Sequence, residues 1–184
     1  MKKGLLTIVF AASATIFSAS FAQTVMVGSE AMYPTKNIIE NAVNSKDHTT
    51  LVAAVKAGDL VEVLKGKGPF TVFAPVNDAF ENLPAGTVDM LLKPENKATL
   101  VKVLTYHVVP GKMDFKAISE AIKKGGGKAE LTTVSGGKLW AMMNGEHNIT
   151  IKDEAGNVAN ISTYDVYQSN GVIHVVDKVL MPKM

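Results

Sequence analysis

The chain has 184 residues, 19 lysines against 17 acidic residues, and neither arginine nor cysteine. The lack of cysteine rules out disulfide staples, so stability has to come from an apolar core, which a chain of this length is long enough to build. Nucleic-acid and phosphate sites favour arginine's planar fork, and no lysine cluster here exceeds a pair, which argues against a nucleic-acid partner.

In chain order, Lys2 and Lys3 precede an apolar stretch from Gly4 to Phe17, and Ser20-Phe21-Ala22 offers a small-x-small cleavage site. This pattern predicts a signal peptide over residues 1–22 and an exported protein, periplasmic or extracellular. Removing Lys2 and Lys3 leaves seventeen lysines against seventeen acids, a neutral mature chain. No second apolar run approaches membrane length, so no membrane span is expected in the mature chain. Residues 23–36 read as an N-terminal arm. Gly28-Ser29 and Pro34 argue against regular structure there, while Val25, Met26, Val27, Met32 and Tyr33 favour docking onto the domain.

Helical patterning follows. Asn37 is placed to cap a helix carrying Ile38, Ile39, Ala42 and Val43, and Thr49 or Thr50 starts a second with Leu51, Val52 and Val55 inward. Asp59 and Glu62 have capping-box spacing before Leu60, Val61 and Leu64. Phe70, Thr71, Val72 and Phe73 have strand composition, and Pro75 is expected to end that strand at Ala74. Asn77 and Asp78 then offer caps for a helix through Phe80, with Glu81 completing a capping-box spacing. Thr87 starts a short helix that Pro94 ends. A longer helix from Glu95 carries Leu100, Val103, Leu104, His107 and Val108 on one stripe and stops at Pro110-Gly111. Asp114 caps a helix with Phe115, Ile118 and Ile122 inward, closed by Gly125-Gly126-Gly127. From Lys128 the pattern changes to short strands, 129–134, 138–143, 147–152, 158–167 and 171–181, with Asn144-Gly145 a strong hairpin signal. Helices first and strands afterwards predict an α+β fold, with residues 37–184 as a single domain.

Three stretches together resemble the fasciclin-like domain family: Phe70-Thr-Val-Phe-Ala-Pro-Val-Asn-Asp-Ala-Phe80 its first signature box, Tyr106-His-Val-Val-Pro-Gly111 its tyrosine-histidine motif, and Asn170-Gly-Val-Ile-His-Val-Val-Asp-Lys-Val-Leu-Met-Pro182 its second box. The chain resembles the small, secreted, single-domain bacterial form. The resemblance implies a wedge-shaped β-sandwich packed by helices of the N-terminal half, with the two boxes as neighbouring strands. It also implies a role in adhesion to a cell surface, matrix or partner protein, with no cofactor and no catalysis. The expected partner is a protein or polysaccharide surface, and a monomer is favoured.

Tyr106 and His107 are the binding residues that the family analogy suggests. His107 nonetheless sits on an apolar stripe, where a histidine needs a hydrogen-bond partner that Asn77 or Asp78 is placed to supply. His174, between Ile173 and Val175, reads as sheet packing. Phe70, Thr71, Val72, Phe73, Ala74, Pro75, Asn77, Asp78, Phe80, Gly171, His174 and Asp177 form the structural motif. The four histidines lack metal-ligand spacing, so no metal site is expected, and adjacent Met142-Met143 face opposite ways on a strand. No Gly-x-Ser-x-Gly elbow marks a hydrolase. A weak hydrolase would require Asp78, His107, His174 and Asp177 to converge. A second reading is a periplasmic binding protein for a saccharide or lipid, which requires a concave apolar pocket with few polar groups.

Overall fold

The N-terminal arm is a β-hairpin in the computed structural model, which describes residues 24–183. The signal peptide expected at 1–22 lies outside the described residues. Strands β1 (Val25–Val27) and β2 (Glu30–Met32) pair antiparallel around Gly28 and Ser29, both with positive φ (61° and 62°). That is the mirror-image turn whose twist suits a hairpin, so Gly28-Ser29 builds regular structure where it was expected to prevent it. The docking half of the expectation matches: Val27 and Met32 are buried in the core.

Among the described residues, seven α-helices follow the arm in runs of three, three and one. Helices α1 (Ile38–Ala42), α2 (Thr49–Ala57) and α3 (Val61–Lys65) precede β3 (Phe70–Pro75), and α4 (Asn77–Glu81), α5 (Thr87–Leu91) and α6 (Lys97–Tyr106) follow it. After β4 (Val108–Pro110) comes α7 (Phe115–Lys124), then β5 (Lys128–Thr132), β6 (Lys138–Asn144), β7 (Asn148–Lys152), β8 (Val158–Gln168) and β9 (Gly171–Val176). Asn37 caps α1 in a reciprocal box with Glu40, and Asp114 accepts from Ala117 N–H at the start of α7.

Four local readings change in the folded chain. Asn77 and Asp78 do not cap α4, whose N-cap is Val76. Asn77 serves a neighbouring helix: its Oδ1 accepts from Thr50 N–H at 3.1 Å and Thr49 Oγ1 at 3.2 Å, and its Nδ2 donates to Lys46 O at 2.8 Å. Asp59 does not cap α3 either; it takes positive φ and pairs with Lys97. The longer helix ends at Tyr106, well before Pro110-Gly111, because Val108 and Val109 leave it to form β4 beside β3. Likewise β3 runs one residue further than Ala74, since Pro75 still aligns with Val176 of β9.

The order in the main sheet is β4-β3-β9-β8-β7-β6-β5, with β3 and β9 parallel and every other pair antiparallel. The two signature boxes are therefore hydrogen-bonded neighbours. Register shifts in β8 around Thr163 and Val166, with Asp165 at positive φ, bend that long strand. The sheet curls until its edges approach, and Val134 N–H donates to Val108 O at 2.7 Å. The result is a near-closed, sandwich-like sheet covered by helices.

Alternation along β3 and β9 separates two cores. Val72, Ala74, Ile173 and Val175 face α1–α3, α6 and the hairpin, whereas Phe73 and Val176 face the curled interior with Ile118, Leu139, Ile149 and Leu180. Both faces are covered, which explains why β9 reads as a continuous apolar run rather than as an alternating one.

Candidate functional site

His107 lies where the signature stretches meet. It is the C-cap of α6, and its backbone carbonyl accepts from Phe73 N–H at 2.9 Å. Its Nε2 accepts from Leu180 N–H at 2.9 Å, which places the ring proton on Nδ1, donated to Val103 O at 2.8 Å. The partner expected from Asn77 or Asp78 is thus supplied by backbone. One residue ties the first box to the second. Burial pushes the imidazole down to about 4, against the opposing pull of the Val103 carbonyl and the Asp153 carboxylate.

Tyr106 is fully buried in the curled interior. Its hydroxyl donates to Lys138 O at 2.6 Å and accepts from Glu154 N–H at 2.9 Å, stitching α6 to β6 and to the turn after β7. Burial pushes its phenol up to about 12. As folded, neither Tyr106 nor His107 presents its side chain to a macromolecular partner.

All but one of the remaining motif residues are also engaged. Thr71 Oγ1 donates to Gly111 O at 2.7 Å and accepts from Met113 N–H at 2.9 Å. His174 stacks on Phe73 at 5.8 Å, and its Nε2–H donates to Met113 O at 2.8 Å. Burial lowers its pKa, with the Met113 carbonyl opposing. Val72 and Ala74 pack under the helices, Phe80 joins Val103 and Val179 in a small third cluster, and Phe70 and Pro75 bracket the strand. Gly171 passes so close to Phe70 that an added Cβ would stand 2.2 Å from Phe70 O. Asp177 grips Asn160 through N–H and Nδ2, both at 2.7 Å, and Asp78 is exposed. Of the four residues that a hydrolase reading brings together, the two histidines are held by backbone and Asp177 by Asn160, while Asp78 is exposed. Among the described residues, no group of three or more His, Cys, Asp or Glu could hold a metal ion.

The concave feature lies elsewhere. A cavity of about 380 Å³ opens between the hairpin, α1–α3 and the β3–β4 edge. Its wall is built largely from apolar side chains, among them Ile38, Leu51, Val55, Leu64, Val72 and Ile173. Exposed Val43, Val63 and Val134 stand with Lys56 and Lys65 where the lining reaches solvent. His48 contributes a buried polar group to the wall, only 4% exposed. Ser45 Oγ lies 2.8 Å from its Nδ1, while its Nε2 makes no hydrogen bond. Burial lowers the His48 pKa; the nearby Ala74 carbonyl and the Asp47 carboxylate pull the other way, although the carbonyl does not close a hydrogen bond to Nε2.

Sequence reasoning passed over three of these residues. His48 is one of the four histidines that lack metal-ligand spacing, and nothing local marks it as buried. Asp153, inside a turn-forming Asp-Glu-Ala-Gly-Asn stretch, is buried and accepts from Asn157 N–H at 2.7 Å and Met181 N–H at 2.8 Å. Asn170 accepts from Ile38 N–H at 3.0 Å and donates to Leu64 O and Gly66 O at 2.8 and 2.9 Å, joining α1, α3 and β9. The available signal was an isolated Asn or Asp beside an apolar run, which turn chemistry equally explains.

The fasciclin domain family model matches residues 46–182. The chain is 48% identical over 148 residues to protein sll1483 of Synechocystis sp., covering 80% of this chain and 74% of that protein. It is 33% identical over 146 residues to the immunogenic protein MPB70 of Mycobacterium bovis, covering 77% and 66%. It is 31% identical over 147 residues to human periostin, covering 80% of this chain but 16% of periostin. Among solved structures, a FAS1 domain pair from the insect cell adhesion molecule fasciclin I matches with a TM-score of 0.69 at 18% identity, covering 79% of this chain and 51% of that one.

Proposed function

Because the chain belongs to the fasciclin domain family, we propose that it is an exported, non-catalytic interaction module that attaches to a protein or polysaccharide surface. The observation that carries this reading is the use of the signature residues: Tyr106, His107, Thr71 and His174 are spent inside the molecule, on backbone groups. Attachment then belongs to side chains left outside the core. The hairpin leaves Met26 60% and Tyr33 45% exposed, and Pro110 is exposed at the end of β4. Isolated apolar residues on a surface are common, but here two large ones share a short hairpin.

The test is capture of surface components of the source cells on immobilised mature protein, compared with a Met26→Ser/Tyr33→Ser double variant. Both side chains lie outside the core, so the variant keeps its melting temperature. Loss of capture by the folded variant supports the reading. Equal capture by both proteins moves the contact surface away from the hairpin, and a deletion strain with unchanged surface attachment sinks the adhesion reading.

No helix among the described residues is long and apolar enough to cross a membrane. On the proposed reading the module meets its partner in the periplasm or outside the cell, as a monomer.

A further inference from the structure

The starts of both signature strands meet the hairpin segment at one end of the main sheet. Ser169 N–H, in the turn between β8 and β9, donates to Lys36 O at 2.9 Å, and Gly111 N–H donates to Pro69 O at 2.9 Å. Asn41, which holds both backbone groups of Tyr33, also donates through Nδ2 to Gln168 Oε1. Pro69, Gln168 and Ser169 line an open pocket of about 370 Å³, so these ties bring exposed Tyr33 and Pro110 beside it. Its volume lies within the range of small-ligand pockets, roughly 300–1,000 Å³.

The pocket carries charge of one sign. Lys67 and Lys112 both line it, and no aspartate or glutamate does. Among the described residues, no carboxylate pairs with Lys67, Lys112 or the adjoining Lys36. The acids closest along the chain are committed to backbone. Glu40 Oε2 accepts from Asn37 N–H at 2.8 Å, Asp114 Oδ1 from Ala117 N–H at 2.8 Å, and Asp165 Oδ1 from Phe115 N–H at 2.7 Å. Two of the three ammonium groups stand over tyrosine rings instead, Lys36 over Tyr33 at 5.0 Å and Lys112 over Tyr167 at 4.5 Å.

The complement of such a local excess is a polyanion. Lysines without a single arginine attract carboxylates as point charges and lack the fork that grips phosphates. Exposed Ser169 offers a hydroxyl that both donates and accepts, which suits sugar hydroxyls. The tyrosines add rings with an apolar body and a polar tip, able to lie against the C–H face of a pyranose. An acidic peptide would match the charge but not the hydroxyls.

We propose that this end of the sheet is the contact surface of the attachment module and that its partner is an acidic polysaccharide, a polymer of uronate sugars. Uronate carboxylates pair with Lys67 and Lys112, and a sugar between them occupies the pocket beside Ser169. The proposal rests on the attachment reading and adds the chemistry of the partner.

The experiment is calorimetric titration of the mature protein with oligogalacturonate, an oligoglutamate of equal charge and a neutral maltooligosaccharide of equal length. Oligogalacturonate should bind saturably and weaken at least about tenfold between about 0.1 M and about 1 M salt. Lys67→Glu/Lys112→Glu should weaken it at least about tenfold, since two attractions become repulsions, and Lys67→Gln/Lys112→Gln about threefold. Lys93→Glu/Lys152→Glu changes the net charge equally at exposed lysines outside the lining, and should bind within about twofold of the wild type. All three variants should keep the wild-type melting temperature, because none of these lysines pairs with a carboxylate among the described residues. The proposal is overturned if oligogalacturonate does not bind, or if Lys93→Glu/Lys152→Glu weakens it as much as Lys67→Glu/Lys112→Glu does. It is equally overturned if oligoglutamate binds as tightly, which makes the partner an acidic protein, or if the maltooligosaccharide does, which removes the lysines from recognition. Capture of surface components from the source cells separates this outcome from the attachment reading. Capture that survives Lys67→Glu/Lys112→Glu overturns the acidic partner and leaves attachment standing, whereas no capture by the wild type overturns both.

Discussion

A histidine buried in its neutral form makes folding depend on pH, and His107 is such a residue. Its folded pKa is about 4 and its ordinary value 6.5, with burial the main cause. Between those values the unfolded chain binds a proton that the folded chain refuses, so stability rises with pH across that window. Above 6.5 the contribution is fully present; it is lost as pH falls towards 4. The interval is worth about 3 kcal/mol. Burial lowers His48 and His174 in the same direction, so the three reinforce one another. Urea denaturation midpoints measured from pH 8 to pH 4 should therefore be flat at first and then fall. His107→Leu should lower the plateau by about 2–4 kcal/mol, because Leu180 N–H is left buried without an acceptor. The same variant should also show a shallower acid limb. A variant with wild-type stability and an unchanged acid limb would contradict the assignment of His107 as the tie between the boxes.

At the scale of elements, the parallel contact of β3 with β9 depends on the absence of a side chain at Gly171. An added Cβ there meets Phe70 O at 2.2 Å, and backbone cannot move aside as a flexible side chain can. Gly171→Ala should cost at least about 2 kcal/mol, measured by denaturant titration, and should speed amide exchange along both strands. Asn170→Ala should be comparably costly, because it removes three hydrogen bonds that join α1, α3 and β9. Neither role is visible locally. Asn37 shows the contrast: its box with Glu40 closes within four residues, so spacing alone reveals it. Asn77 has the same chemistry, but its partners Thr49 and Thr50 arrive through tertiary packing, and local spacing pointed to the wrong helix. His107 was legible as buried from its apolar stripe, whereas Leu180 as its donor was not. Element types were legible over most of the chain because periodicity is local. Element ends failed where a strand partner competed with a helix, as at Val108.

The cavity belongs to the scale of the whole molecule, since the hairpin, helices α1–α3 and α6, and strands β3, β4, β8 and β9 must pack before its wall exists. No residue pattern announces it: Ile38, Leu51, Val55 and Ile173 read identically as core. The hairpin contributes Val27 and Met32 to that wall. Val27 and Met32 enter the core, and Asn41 holds Tyr33 by two backbone hydrogen bonds at 3.0 and 2.8 Å. Burying two such side chains contributes roughly 3–6 kcal/mol before the cost of ordering the arm is subtracted. A chain beginning at Tyr33 should therefore remain folded but lose about 3 kcal/mol, read from its urea midpoint. With Val27 and Met32 gone, the cavity they line opens to water. The Met26→Ser/Tyr33→Ser variant keeps both inward side chains, so its urea midpoint should match the wild type. If the truncated chain keeps its full stability, the hairpin is an ornament on the domain rather than part of its core, and the cavity does not need it as a wall.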